Sequence, residues 1–597
     1  MELPTWDLSD LYSGVDDPRI EADLGESLNQ ARDFERRYRD QIASESLTAE
    51  RLKGALDEYE ALLRHESKPQ AFAQLLFSTD TSDDARKALV QRVRELGSEI
   101  STHLIFFDLE IGRISPETFA RLLNDPVLAD YHHYLDHQRK LAAHYLSEPE
   151  EKILEETAND RGRAWRRLFT EITSGMKYTL RHGDETRDLN QSQLMALLYE
   201  PDRSLRQAAA LALAEGLEKN AHVLNFTHNT LLHEKQVIDK LRRFESPEAD
   251  RHLDNELSQE MVDTMVGVCV QNFDLVADYY RLKGELLGLS DLKHYDRYAP
   301  ISKDRDELDF QKAREIVLEA FGSFSPRLAE LAEPFFSKRW IDAVVKDGKR
   351  GGAFCAGVTP DHHPYVLLNY TGKPRDVMTL AHELGHGVHD RLASKQNLLN
   401  YHPVLPMAET ASTFGELLVF ERLQRDLKSD EARLAMLCEK LEDTFATVFR
   451  QVSMYRFEQR LHQRRREQGE LTVESINGLW QECMQEMFGQ ALTLGEDHRW
   501  SWLYIPHIVS TPFYVYAYAF GELLVLSLYA RYKREGASFV DKYFELLASG
   551  GSLPPTRMLE KLEIDIGQAS FWQGGCDLIR ANVALARELA ERTRARA

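Results

Sequence analysis

Positive charge is scarce along this sequence. Its 597 residues include 74 lysines and arginines against 97 aspartates and glutamates, which gives a formal net charge of −23. Binding to nucleic-acid phosphates requires a basic surface, so this balance argues against nucleic acid as a partner. Cysteine is also rare: the five cysteines, at positions 269, 355, 438, 483 and 576, have no metal-binding or redox spacing and fit a reducing compartment.

Targeting and membrane segments are missing from the sequence as well. Residues 1–7 have neither a charged n-region nor an apolar h-region, so we expect a cytoplasmic protein. Residues 508–530 carry a single charge, Glu522, over a length that could cross a bilayer. Pro512 and the tyrosines at 514, 516 and 518 make this a poor lipid-facing helix, so we expect no membrane partner.

Strand patterns are confined to residues 340–370, and most of the remaining chain has helical periodicity. Residues 579–597, for example, read as an amphipathic helix. We therefore predict a mainly α protein. Its length exceeds one folding unit, and no Pro/Gly-rich linker marks a division. We place a soft boundary after residue 195, between an N-terminal helical domain (1–195) and a C-terminal catalytic domain (196–597).

The strongest chemical signal is the H-E-x-x-H motif of residues 382–386. In a helix, His382 and His386 lie one turn apart on one face and can bind one metal ion, with Glu383 beside it. This pattern is typical of zinc hydrolases, in which the glutamate takes a proton from a metal-bound water. It also fits a buried helix with hydrogen-bonded core histidines.

The surrounding residues favour the metal site. Pro374 and Asp376 indicate a helix start, with Asp376 as the expected N-cap. Gly385 and Gly387 each cost a helix roughly 1 kcal/mol against alanine. Such a cost indicates that another segment packs very close to the helix backbone.

A third ligand must come from outside the motif. His389 lies on the same face, but seven residues after His382 it is displaced by roughly 10 Å along the axis, too far to share an ion. We expect it at the surface or behind the ligands. Glu409, 23 residues after His386, is the preferred third ligand because a second helix could present it after a loop. Glu416 is the alternative third ligand. If Glu409 is the ligand, we expect Glu416 to support the metal-binding residues or to contribute to helix packing.

Two more segments could contact a substrate. Residues 365–370 read as a short apolar strand, and an extended peptide can pair with an exposed strand edge through its main chain. The segment from His507 to Tyr518 offers imidazole and phenol donors, which a developing oxyanion requires. Taken alone, without any resemblance to a known family, this aromatic segment is interpreted as buried core.

Several segments together resemble the thimet oligopeptidase family, and in particular its oligoendopeptidase F branch. The similar segments are residues 6–12 (WDLSDLY), 351–354 (GGAF), 365–370 (YVLLNY), 379–386 (TLAHELGH), 408–413 (AETAST), 505–507 (IPH) and 513–516 (FYVY). They extend over essentially the whole chain. The resemblance implies a helical fold of two lobes around a deep channel that admits short peptides, with a small sheet beside the metal.

The resemblance also implies roles for individual residues. It makes His382, His386 and Glu409 the ligands of one zinc ion and Glu383 the general base. It assigns substrate binding and oxyanion stabilisation to His507 and a nearby tyrosine, with Tyr514 preferred and Tyr516 second. The interval between His507 and the tyrosines is shorter than in thimet oligopeptidase, so the choice of tyrosine stays open.

We therefore predict a zinc-dependent endopeptidase that hydrolyses internal bonds of short, unstructured oligopeptides. Glu383 would accept a proton from the attacking water and pass it to the leaving amine. One alternative is a zinc carboxypeptidase or dipeptidyl-carboxypeptidase on a related helical fold, which would need a basic group to anchor the substrate's C-terminal carboxylate. Another is an inactive helical protein that only binds peptides. The intact motif at 382–386 argues against the second alternative.

Overall fold

The computed structural model describes residues 3–301 and 307–596. It divides into two compact units, each composed of three segments. Unit 1 contains Met1–Tyr145, Arg305–Leu423 and Arg531–Ile564; unit 2 contains Leu146–Asp304, Gln424–Ala530 and Asp565–Ala597. The predicted boundary after residue 195 falls inside unit 2 and stays a prediction.

The described residues are mainly helical, which confirms the predicted fold class. In chain order, the α-helices before residue 301 are α1 (Pro18–Tyr38), α2 (Ala49–Thr79), α3 (Asp84–Arg113), α4 (Pro116–Leu123), α5 (His132–Ala142), α6 (Glu148–Glu156), α7 (Gly162–Gly175), α8 (Gln191–Ala196), α9 (Arg203–Arg242), α10 (Ala249–Asp254), α11 (Gln259–Gln271) and α12 (Asp274–Leu287). Those after residue 307 are α13 (Phe310–Phe324), α14 (Pro326–Ser337), α15 (Pro374–Ala393), α16 (Leu405–Ala408), α17 (Thr410–Asp426), α18 (Asp430–Thr447), α19 (Phe449–Gln468), α20 (Val473–Phe488), α21 (Pro506–Ser510), α22 (Tyr516–Glu535), α23 (Ala537–Ala548), α24 (Pro555–Glu560) and α25 (Ala569–Arg596). Short 3-10 helices cover Pro126–Tyr131, Ala158–Asp160, Leu197–Tyr199, His294–Asp296, Leu398–Asn400 and Glu496–Tyr504.

Five short strands form two small sheets within the described residues. They are β1 (Tyr178–His182), β2 (Glu185–Leu189), β3 (Ile341–Asp342), β4 (Phe354–Ala356) and β5 (Tyr365–Leu367). The antiparallel pair β1–β2 lies outside the region where strands were predicted. Sequence patterns missed it because four of the five β2 residues are exposed and its polar sequence shows no apolar alternation.

The second sheet has the order β3-β5-β4, so β5 is its central strand. It pairs in parallel with β3 and antiparallel with β4, and all three of its residues are buried. The expectation of a free strand edge is therefore wrong for residues 365–367, since both edges of β5 are already paired. The edge strands of this sheet are β3 and β4.

The N-terminal segment of unit 1 packs against this sheet. The ring of Trp6 lies edge-on to the ring of Tyr365, with centroids 6.1 Å apart. The Tyr365 hydroxyl donates to Asp10 at 2.6 Å, and both aromatic residues belong to one buried apolar cluster. The sheet in turn packs against α15 through β4 and β5, as predicted for a small sheet beside the metal helix. A core of distant segments thus holds α15 in place.

Unit 2 is built around the long helix α9, which packs on β1 and on the 3-10 segment Glu496–Tyr504. Two buried tryptophans of this unit donate their indole N–H groups to hydrogen bonds: Trp502 to Asn477 and Trp572 to the carbonyl of Ile566. Helix α18 packs on α25, and α19 packs on α20. None of the helices in the described part of the chain is both long enough and apolar enough to cross a membrane.

Candidate metal centre

The helix that carries the H-E-x-x-H motif is α15 of unit 1. It begins at Pro374, whose fixed φ suits the first helical position. The N-cap is Lys373, and not Asp376 as predicted. Asp376 lies in the first turn instead, and its carboxylate accepts the backbone N–H groups of Thr371 and Lys373 at 2.7 and 3.2 Å. A carboxylate in the first turn also interacts favourably with the helix dipole.

The glycines of the motif mark close contacts between segments. A Cβ atom on Gly385 would lie 2.5 Å from the carbonyl oxygen of Ala411 and from Cα of Ser412, both in α17. A Cβ atom on Gly387 would lie 2.4 Å from the ring of Phe335. The inference that a segment packs against the backbone of this helix is confirmed. Helices α15 and α17 touch backbone to backbone, which brings the start of α17 next to the motif histidines.

This contact brings His382, His386 and Glu409 together. The Oε2 atom of Glu409 lies 3.3 Å from Nε2 of His382 and 3.4 Å from Nε2 of His386. All three potential ligand atoms lie within 4.8 Å of one another. Two ligands of a tetrahedral zinc ion, each about 2.0–2.1 Å from the metal, are about 3.3–3.4 Å apart. The spacing and the donor types therefore fit zinc, and the side chains, 26–33% exposed, are open to a substrate.

Two further side chains orient this set. Ser412 donates its hydroxyl to Oε2 of Glu409 at 2.7 Å. Glu416 places a carboxylate oxygen 3.5 Å from Nδ1 of His382, on the side of the ring opposite Glu409. A carboxylate behind a metal-binding histidine sets its tautomer and orientation. The geometry thus favours Glu409 as the ligand and Glu416 as the partner of His382.

The electrostatics follow from this arrangement. Burial on its own lowers the pKa of His382, but the hydrogen-bonded carboxylates of Glu409 and Glu416 outweigh it and raise the pKa to about 10. Burial raises the pKa of Glu409, yet the two histidines hold it well below its ordinary value. The carboxylate of Glu409 and the two histidines therefore attract one another, which holds the three potential ligands together.

Glu383 lies on α15 close to both motif histidines and to the backbone of Cys355 in β4. Only 7% of this residue is exposed. Burial raises its pKa, and the nearby charges of His382 and His386 oppose that shift. A carboxylate with a raised pKa is suited to accept and return a proton near neutral pH. Cys355, which had no expected role, contributes its backbone here.

His389 is buried, so the surface alternative for it is wrong. Its ring lies close to the backbone of Ala408, the residue just before Glu409. Burial is the main cause that lowers its pKa to about 3, so the ring is neutral. His389 therefore lies beside the backbone that precedes Glu409, one turn beyond the ligands.

The predicted residues His507 and Tyr514 lie together in unit 2. Their rings stack with centroids 5.8 Å apart and planes 15° apart. A third member of this cluster is Tyr518, whose hydroxyl lies 3.4 Å from Nε2 of His507. All three side chains are half-buried. Tyr518 was not among the tyrosines singled out from sequence, although its four-residue spacing from Tyr514 could have indicated a shared helical face.

Tyr516 does not join this cluster. It is fully buried, and its hydroxyl accepts from Nδ2 of Asn255 at 2.7 Å. The ring of His252 lies on the other side of the hydroxyl, with Nδ1 at 3.1 Å. A phenol enclosed in this way has no face open to a ligand. The choice of Tyr516 as a second substrate-binding tyrosine stays a prediction, which its burial disfavours relative to Tyr518.

Known proteins resemble the whole chain. The Lactococcus lactis subsp. lactis (strain IL1403) protein named "Oligoendopeptidase F homolog" is 26% identical over 99% of this chain and 98% of its own length. A crystal structure of a chain from Chlamydophila abortus has a TM-score of 0.87 at 25% identity and covers 98% of both chains. The structure of oligoendopeptidase-F from Enterococcus faecium has a TM-score of 0.71 at 22% identity and covers 96% of this chain and 98% of that one.

Family profiles match the two parts of the sequence separately. The profile described as "Oligopeptidase F" matches residues 110–178. The profile of peptidase family M3 matches residues 196–578, well over half of the 597 residues. That match includes the H-E-x-x-H helix, Glu409 and the segment from His507 to Tyr518. The resemblance noted in the sequence is confirmed, and the chain is a peptidase that belongs to family M3.

Proposed function

We propose that this peptidase is a zinc-dependent endopeptidase that cleaves internal bonds of short, unstructured oligopeptides. The observation that carries the proposal is the spacing of the Nε2 atoms of His382 and His386 from Oε2 of Glu409, at 3.3 and 3.4 Å. Membership of family M3 agrees with it, because it implies a peptidase, and the relatives named oligoendopeptidase F agree with cleavage of oligopeptides.

In this proposal, His382, His386 and Glu409 hold one zinc ion. When bound, zinc would lower the pKa of a water and polarise the scissile carbonyl. Glu416 keeps Nδ1 of His382 protonated and its Nε2 free for the metal, because the 3.5 Å contact between them is at Nδ1. Ser412 holds Glu409 in its orientation through the 2.7 Å hydrogen bond.

Glu383 acts as the general base. Its carboxylate accepts the proton of the attacking water and passes it to the leaving amine, which are two transfers that need a pKa near the working pH. The burial that raises the pKa of Glu383 prepares it for both. The N–H of Cys355 orients the carboxylate without being consumed in either transfer.

The substrate main chain is proposed to pair with the edge of β4. This strand is paired only with β5 among the described residues, and the N–H of Cys355 leaves it toward Glu383. The free edge of β4 therefore faces the general base. Main-chain pairing ignores most side-chain differences, which suits an enzyme that accepts varied peptides.

His507, Tyr514 and Tyr518 are proposed to donate hydrogen bonds to the substrate and to the oxyanion. Burial, together with the charge of Arg450, lowers the pKa of His507. The imidazole is therefore neutral at pH 7 and keeps one ring N–H as a donor. Preorganised donors of this kind stabilise the charge that develops in the transition state.

The test compares carboxylate variants that differ in role. Glu383→Gln should keep zinc and the fold but abolish cleavage of a quenched fluorescent peptide; retained turnover would refute the base assignment. Glu409→Ala should lose more zinc than Glu416→Ala, and the reverse order would exchange their roles. Cut sites in an amidated peptide, mapped by mass spectrometry, separate the endopeptidase from a carboxypeptidase, because only the latter needs a free C-terminus.

A further inference from the structure

Two arginines of unit 2, Arg297 and Arg450, flank one tyrosine, Tyr298. Arg450, in the first turn of α19, donates through Nη1 to the Tyr298 hydroxyl at 3.3 Å. The guanidinium of Arg297 lies over the same ring, 5.4 Å from its centroid. Within the part of the chain that the structure describes, neither guanidinium forms an ion pair with a carboxylate. Unpaired arginines call for an explanation in a chain with a net charge of −23.

The carboxylate of Glu442 is near enough to raise the pKa of Tyr298, but its hydrogen bonds are made to other residues. Its carboxylate accepts hydrogen bonds from Nζ of Lys283 and from the hydroxyl of Tyr279. Lys283 is fully buried, so this pair neutralises itself inside the core. The positive charge of the two arginines is left without internal compensation.

The cluster is open to ligands on one side. Tyr199, which is 51% exposed, stacks on Tyr298 with centroids 5.0 Å apart and planes 15° apart. Tyr298 and the two arginines are themselves half-buried. Aromatic rings thus wall a positively charged patch that solvent can still reach. Such a site favours a small anionic group, because the low local dielectric strengthens its attraction.

The cluster also lies near the segment that leads to His507, because α9 packs on the 3-10 helices Leu197–Tyr199, His294–Asp296 and Glu496–Tyr504. The charge of Arg450 is close enough to His507 to contribute, after burial, to the lowering of its pKa. Arg450 and His507 belong to the same unit. A peptide held by His507 would therefore pass close to the two arginines.

We propose that Arg297, Arg450 and Tyr298 form a subsite that binds a carboxylate of the peptide substrate. The inference rests on the proposed peptidase function and adds a specificity element to it. A guanidinium binds a carboxylate through two parallel N–H···O bonds. The Tyr298 hydroxyl accepts from Arg450, so its own proton is left to donate to the same ligand. The carboxylate can be the C-terminus of the peptide or an acidic side chain.

The experiment uses three peptides with one common core: a free acid, its C-terminal amide, and an amide with Asp in place of the last residue. Hydrolysis of each is followed for wild type, Arg450→Gln and Arg297→Gln. The control is Arg460→Gln, on the same helix, whose guanidinium already pairs with Glu482 at 3.0 Å. Binding of labelled peptides is measured in parallel by anisotropy on the full-length Glu383→Gln protein, with and without Arg450→Gln.

Wild type should prefer one of the carboxylate peptides to the plain amide, and the preferred one identifies the source. Arg450→Gln should raise KM for that peptide about 10- to 100-fold with kcat within about twofold. The plain amide and the Arg460→Gln control should not respond. Equal effects on all three peptides, or no preference in wild type, would overturn the subsite. Hydrolysis of the plain amide tests the peptidase function separately, and the anisotropy series tests the subsite even without turnover.

Discussion

Replacing Gly385 by alanine would test how the metal centre is assembled. The added Cβ atom would lie 2.5 Å from both the Ala411 carbonyl oxygen and Cα of Ser412, whereas ordinary contacts begin at 3.4 Å. Both neighbours are backbone atoms, so no side chain can rotate away. Helices α15 and α17 would have to separate locally by about 0.9 Å, the difference between those two distances.

The energetic cost can be isolated with a second glycine. Gly54 lies in α2 of the same unit, and a Cβ atom there would meet nothing within 4 Å. Both substitutions gain about 1 kcal/mol of helix propensity. Only Gly385→Ala also overpacks, which costs typically about 1–3 kcal/mol. Gly54→Ala should therefore raise the free energy of unfolding. The free energy of unfolding of Gly385→Ala should be lower than that of Gly54→Ala by about 1–3 kcal/mol.

The same displacement should weaken metal binding. Ser412, one of the two contacted residues, holds Glu409 through its hydroxyl at 2.7 Å. Metal sites tolerate ligand displacements of only about 0.2 Å. Gly385→Ala should therefore lower zinc affinity about 10- to 100-fold, the usual effect of losing a supporting contact.

The assays are denaturant unfolding and zinc competition with a chromogenic chelator, on wild type and both variants. Gly54→Ala should bind zinc as wild type does. If Gly385→Ala raises the unfolding midpoint as much as Gly54→Ala and binds zinc normally, the backbone contact between α15 and α17 is not what assembles the site.

The other predictions concern the tyrosines, a buried glutamate and the metal. Tyr514→Phe or Tyr518→Phe should lower kcat by about 100-fold if its hydroxyl stabilises the oxyanion, whereas Tyr516→Phe should mainly lower the unfolding midpoint. Glu458 accepts the buried N–H of Phe513 at 3.0 Å, so Glu458→Leu should cost about 1–3 kcal/mol and Glu458→Gln much less. Burial raises the pKa of Glu458 from 4.5 to about 8, so its contribution to stability should fall as pH rises across that window, and Glu458→Gln should flatten this part of the pH profile. Chelation should abolish hydrolysis and lower the midpoint, and added zinc should restore both.

A specific result would contradict each of these three predictions. Equal kcat losses in all three tyrosine variants would mean that the cluster acts through packing alone. Unfolding midpoints of Glu458→Gln and Glu458→Leu that coincide at every pH would show that the hydrogen bond to Phe513 is not stabilising. Full turnover after exhaustive chelation would remove zinc from the proposed mechanism.

The strained turn at Phe513 shows why the tyrosine segment was hard to interpret from sequence. Phe513 has a φ of 59°, a left-handed conformation that is costly for a bulky residue. The buried carboxylate of Glu458, 55 residues earlier in the chain, holds it there. The turn decides that Tyr514 and Tyr518 meet His507 while Tyr516 points into the core. Nothing local predicts a conformation that depends on so distant a hydrogen bond.

Helical periodicity alone was enough to predict α15, the pairing of His382 with His386, and the exclusion of His389 as a third ligand. These conclusions need only the rise and rotation of one helix, which are the same in every protein. Membership of family M3 could likewise be anticipated, because its motifs are short and continuous in sequence.

Only the tertiary structure decided the rest. It buried His389 beside the backbone of Ala408, made β5 the central strand with β4 at one edge, and placed Glu409 in front of His382 with Glu416 behind it. It also brought Arg297 and Arg450 to one tyrosine across 153 residues of sequence. The reason is physical: burial, edge exposure and ion pairing are properties of the contacts between distant segments, and a local pattern contains the residues but not their neighbours.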